Sequence, residues 1–82
     1  MDQTSCPFGA RLRELRERAG LNKSELARAS GVGRGAITRL EWGLHGPDWP
    51  TLARLASALG VAPETFRCPG WELPPPGPFR RR

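Results

Sequence analysis

Arg34 and Arg39 are the two side chains whose chemistry asks first for an explanation. They lie five residues apart in RGAITRLEW, with Gly35 and Thr38 between them. A guanidinium presents N–H donors in a planar fork, which suits the O6 and N7 acceptors of guanine or two oxygens of a phosphate. One such bidentate contact discriminates between bases by about 1–3 kcal/mol. Side chains five apart stand on related but not identical faces of a helix. Arg39 is therefore expected to reach bases, and Arg34 to take either a base or a phosphate. Thr38 offers a methyl to thymine or a hydroxyl to a base edge. Gly35 brings no side chain, so contact there is through close backbone approach or is absent.

Other chemistries lack their parts. The chain has 82 residues, two cysteines and one histidine. Four metal ligands at a familiar spacing are not to be found, and no cofactor is expected. No paired carboxylates sit in an apolar setting, no Ser–His–Asp group has a spare histidine, and no phosphate loop is present. The expectation is a protein that is not an enzyme. Cys6 and Cys68 flank the central segment and read as two cytosolic thiols, or as a pair that meets when the ends come together. Net charge is +5 and the sequence pI is near 11.0, which favours an anionic partner, nucleic acid being the common one. That charge is spread along the chain rather than gathered in one arm. With no long apolar run and no basic, apolar leader at MDQTSCPFGA, the expectation is a cytoplasmic protein with no membrane contact.

Short helices must position these groups. Phe8, Leu12, Leu15 and Ala19 recur at helical spacing in a first helix that Gly20 ends. Asn22 reads as the N-cap of a second helix over Lys23–Ala29, with Glu25 three residues on as its capping-box acid. After Gly31-Val32-Gly33, a third helix spans Arg34–Trp42 with Ile37 and Leu40 facing inward. Asp48 caps a fourth, whose stripe is Leu52, Leu55, Ala56 and Leu59; Pro63 opens a last short helix carrying Phe66. Leu26, Val32, Ile37 and Leu40 would pin the crossing of the second and third helices. From residue 69 the chain holds five prolines and two glycines in fourteen residues, a composition that reads as a tail. The expected organisation is a lead over 1–7, a folded domain over 8–68 and a Pro-rich, basic, disordered tail over 69–82.

LNKSELARASGVGRGAITRLEWG resembles the helix-turn-helix of the Cro and phage-repressor family, also called the XRE family. FGARLRELRERAG and TLARLASALGVAPETF resemble the helices on either side, so the likeness covers about residues 8–67. It implies an all-α, lambda-repressor-like bundle of five helices that binds double-stranded operator DNA, usually as a dimer. Carried over by position, it implies that Lys23 touches a phosphate and that the helix start at Gly33 stands beside one. Base reading falls on Arg34, Gly35, Thr38 and Arg39. Backbone amides near His45, Gly46 and Trp49 would meet phosphate. Gly33 stands where Ser or Thr is common, and Trp42 where Asn or Arg is usual. The joint near Val61 to Phe66 is the implied surface for a weak or DNA-assisted homodimer. A transcriptional repressor, acting by occlusion at the nucleoid, is the function implied.

Several residues admit two readings. Trp42 and Trp49 either pack over a small core or touch a DNA backbone or a partner subunit. Glu41 is expected to be structural, paired with Arg11 or Arg28. The Arg80-Arg81-Arg82 end reads as a nonspecific electrostatic aid, or as an arm for the minor groove. A competing function is a protein-interaction module, such as an antitoxin or adaptor. Trp71, Leu73 and Phe79 of the tail would be its contact groups.

Overall fold

The computed structural model describes residues 7–43, 46–68 and 70–74. Four α-helices follow in order: α1 (Pro7–Arg18), α2 (Lys23–Ser30), α3 (Arg34–Glu41) and α4 (Trp49–Leu59). The fifth segment, expected as a helix, is a single 3₁₀ turn over Pro63–Phe66. It is short for a physical reason. Pro63 occupies its first turn, and Pro69 can neither donate to a helical ladder nor leave the residue before it free to be helical. Among the described residues there is no strand, only one isolated antiparallel bridge between Cys68 and Trp71.

Local chemistry sets the helix ends. The Asn22 carboxamide accepts the Glu25 N–H and the Glu25 carboxylate accepts the Asn22 N–H, both at 2.8 Å, which completes the capping box. Gly31 closes α2 at φ +78°, a left-handed conformation that costs a glycine nothing, and its N–H donates to the Ala27 carbonyl. Asp48 caps α4 by accepting the Thr51 N–H at 3.0 Å. Along α1 the exposed polar face carries ion pairs at helical spacing, Arg11–Glu14, Arg13–Glu17 and Arg18–Glu14.

Phe8, Leu12 and Leu15 of α1 meet Leu26, Val32, Ile37, Leu40, Leu52, Leu55, Ala56 and Phe66 in one buried cluster. Ala19, expected on that stripe, lies past the end of α1 and is exposed. α1 packs on α3, α2 on both α3 and α4, and the 3₁₀ turn against α1 and α4. α1 comes close to the α3 backbone at Gly9, where a Cβ would stand only 2.4 Å from the Leu40 carbonyl oxygen and 2.8 Å from that of Glu41.

The Pro-rich segment begins inside the fold, across the boundary expected at residue 69. The backbone N–H of Trp71 donates to the Cys68 carbonyl at 3.0 Å, and this turn brings the Trp71 indole to 4.9 Å from the Phe8 ring. Phe66 covers another side of Phe8 at 5.0 Å. Leu73 is half-buried against the same cluster. Proline content removes backbone donors, but it does not stop an indole from burying its surface. Residues 1–6 and 75–82, with Cys6, Phe79 and the three terminal arginines, lie outside the described residues.

Candidate nucleic-acid interface

The site is built on α3. Ile37 and Leu40 are buried, which fixes the rotation of the helix about its axis. The opposite face is then settled by the helical period. Arg34, Gly35 and Arg39 are exposed on it, and Thr38 is half-buried at its edge. The structure therefore brings together the four residues expected to read bases. Arg39 runs back along the helix, and its Nη1 lies 3.6 Å from where a Cβ on Gly35 would be. The lane it occupies is open because residue 35 has no side chain.

The start of α3 is bare of side-chain capping. Gly33 is extended (φ −60°, ψ 145°), exposed, and makes no side-chain cap bond. The turn before it is held by Ser30, whose hydroxyl accepts the Val32 N–H at 3.1 Å, and by Val32 itself, which is buried. Lys23, first residue of α2, lines a surface cleft of about 400 Å³ with Arg16, Asn22, Ser24 and Arg34. The cleft joins the N-termini of α2 and α3, so cationic side chains and N-terminal backbone dipoles add there, which suits an anionic oxygen.

The other expected phosphate contacts are less uniform. Gly46 is exposed before α4. Trp49 is half-buried against the core cluster, which leaves its backbone at the N-terminus of α4 as the part able to face outward. His45 lies outside the described residues. Asp48 caps the same helix. The Thr51 hydrogen bonds hold its carboxyl below the usual aspartate range.

One group that orients the site was not found from the sequence. Glu41, at the C-terminal end of α3, accepts from Nε of Arg16 at 2.6 Å and from Nη2 at 3.1 Å. The expected partner of Glu41 is either Arg11 or Arg28. Arg11 instead pairs with Glu14, and Arg28 is exposed in the last turn of α2. Arg16 also donates to the Leu21 carbonyl at 3.0 Å, so one guanidinium ties α1, the α1–α2 turn and α3 together. Its side chain is 11% exposed and that of Glu41 only 4%. The hydrogen bonding to the Glu41 carboxylate, then its charge, raise the Arg16 pKa against the opposing effect of burial. A signal was present: Arg16 is four residues from Leu12 and next to Leu15, so an arginine falls on the apolar stripe of α1.

Of the two readings of Trp42, packing over the core does not hold. It stands 65% exposed, the only exposed large hydrophobic side chain among the described residues. No group of three metal-ligating side chains occurs among those residues.

Two helices joined by a tight turn, the second presenting a basic polar face and buried only along its back, are the defining parts of a helix-turn-helix domain. The helix-turn-helix domain family matches residues 7–67, and the chain belongs to it, in the Cro and phage-repressor type. The chain is 44% identical over 55 residues to the HTH-type transcriptional repressor RghR of Bacillus subtilis (strain 168), an alignment covering 66% of this chain and 41% of RghR. It spans less than half the length of the curated Bacillus subtilis relatives it matches. Among solved structures it is similar to the restriction-modification controller protein C.AhdI of Aeromonas hydrophila. There the TM-score is 0.72 at 36% identity, over 74% of this chain and 92% of that one. It is also similar to the P22 c2 repressor, solved in complex with a synthetic operator. That TM-score is 0.67 at 27% identity, over 77% of this chain and 94% of that one.

Proposed function

We propose that this chain is a sequence-specific, double-stranded-DNA-binding transcriptional regulator, a repressor that acts as a dimer on a two-fold operator. The observation that carries the reading is the face of α3 on which Arg34, Gly35, Thr38 and Arg39 stand together, backed by the buried Ile37 and Leu40. Such a face enters the major groove with its N-terminal residues foremost. Arg39 and Arg34 would take guanine O6 and N7, and Thr38 a thymine methyl. Lys23, the Gly33 helix start, and the backbone of His45, Gly46 and Trp49 would hold phosphates, contacts that position the helix without reading sequence. RghR is named a transcriptional repressor and the P22 protein was solved on an operator, and both lend support. A cytoplasmic, nucleoid-bound protein follows from this reading, with a homodimer that is weak or assembled on DNA. The competing reading, a module that captures a partner protein through its tail, rests on Trp71, Leu73 and Phe79. Of these, Trp71 and Leu73 are half-buried against the core.

The experiment is selection from a randomised duplex library at near-physiological salt, followed by sequencing. The expected result is a short motif repeated with two-fold symmetry about one helical turn apart. Arg39→Ala should relax the preference at one position of each half-site, at about 1–3 kcal/mol, and Lys23→Ala should weaken every sequence alike. Retention without enrichment would remove the sequence-specific part of the reading. No retention at all would move the function to the partner-capture module.

A further inference from the structure

Trp42 asks for an occupant. With Arg34 and Thr38 it forms the i, i+4, i+8 row of α3, and its backbone continues the helix (φ −74°, ψ −13°) with its N–H donating to the Thr38 carbonyl at 3.0 Å. It therefore belongs to the same outward face as the proposed base readers. At 1.5 Å per residue it stands roughly 12 Å further along the axis than Arg34. When the N-terminal end of a helix is deepest in the groove, a side chain at that distance reaches the wall, where sugar and phosphate run.

Its neighbours agree. Trp42 lines a cleft of about 210 Å³ with Arg13, Arg16, Lys23 and Glu41. Arg16 and Lys23 also line the larger cleft that reaches Arg34, so the two form one strip. The charges of Arg16 and Glu41 are spent on each other. Lys23, Arg34 and Arg13 are left to set the sign of the strip. Arg13 is held only by an exposed helical pair with Glu17 at 3.2 Å, a bond of little worth that readily yields to a phosphate. A protein partner would be expected to meet an apolar patch; here a single indole is rimmed by cations, which points to a polyanion. Indole also has the right chemistry, with a flat apolar face for a deoxyribose and an N–H that donates but cannot accept.

We propose that Trp42, flanked by Lys23 and Arg13, clamps the sugar–phosphate backbone of one DNA strand at the edge of the groove that receives α3. Trp42 packs on the sugar and Arg13 adds a phosphate contact. The proposal rests on the DNA-binding reading above, and its test separates the two. The full chain, Trp42→Ala, Trp42→Phe and Arg13→Ala are titrated by fluorescence anisotropy against the selected duplex and an unrelated duplex of equal length, at several salt concentrations. Thermal unfolding of each variant accompanies the titrations. Trp42→Ala should weaken both duplexes alike, roughly tenfold, a decade being 1.4 kcal/mol. It should leave the salt slope and Tm unchanged, and Trp42→Phe should recover part of the loss. Arg13→Ala should flatten the slope of log K against log salt by about 0.9. Parent affinity for Trp42→Ala on both duplexes would overturn the clamp while leaving DNA binding intact. So would a loss confined to the selected duplex, which would make Trp42 a base reader, or a loss traced by sedimentation to self-association. If the unmodified chain binds neither duplex, the underlying reading falls and the clamp with it.

Discussion

Arg16 and Glu41 show how much one pair of side chains can decide. Both are taken almost entirely out of water, and the low exposure that strengthens their attraction also makes each a liability without the other. Glu41→Ala leaves a guanidinium buried against the Leu21 carbonyl alone. We expect a loss of about 3–5 kcal/mol in unfolding free energy, measured by urea denaturation. Replacing both partners, as Arg16→Met with Glu41→Leu, should recover most of it. Asp48 behaves differently, because it is exposed and acts through a cap. Asp48→Ala should cost about 1 kcal/mol at neutral pH. The folded state holds this carboxyl below its ordinary pKa. Its contribution is therefore complete above the unfolded value of about 3.9 and fades as pH falls through the folded one. The Tm gap between parent and variant should be constant from pH 7 down to about 5 and shrink toward pH 2.5.

Helices α1 and α3 come together because residue 9 is a glycine. Carbonyl oxygens occupy the space a methyl group would need, and backbone cannot swing aside as a side-chain end does. Alanine is the better helix former by about 1 kcal/mol, yet Gly9→Ala should destabilise by about 1–3 kcal/mol net. Circular dichroism melts would show Tm falling where propensity alone says it should rise. The helices themselves were legible in the sequence. Asn22 with Glu25, Asp48, and the glycines at the ends are signals that act within three or four residues. The outward set on α3 was legible for the same reason, since a 3.6 period puts Arg34, Thr38 and Arg39 opposite the buried Ile37 and Leu40. What escaped lies between elements. Gly9 meets Leu40, and Arg16 meets Glu41 at a separation of 25 residues, distances over which neither caps nor periodicity speak. Trp42 stayed open between core and outer surface for another reason: hydrophobicity says that a side chain gains by burial, not that the fold has a place for it.

At the scale of the whole molecule, the small core is completed from its far end. Phe66 and Trp71 both lie against the fully buried Phe8. A tryptophan half out of water in this way contributes about 2 kcal/mol. Trp71→Ala, or a chain ended at residue 69, should lower Tm by roughly 10 °C in calorimetry. On the proposed function, the same variants should leave duplex preference unchanged, because the outward face of α3 is built from other residues. The contact has a consequence in time as well. Phe8 and Trp71 lie at opposite ends of the described chain, so bringing them together closes nearly all of it into one loop. Helices α2 and α3, joined by three residues, form their contacts locally and early, while the ring of Trp71 has no surface to meet until α1 and the 3₁₀ turn are in place. The tilted ring contact is thus a late event, absent from the folding barrier, and removing it should speed unfolding far more than it slows folding.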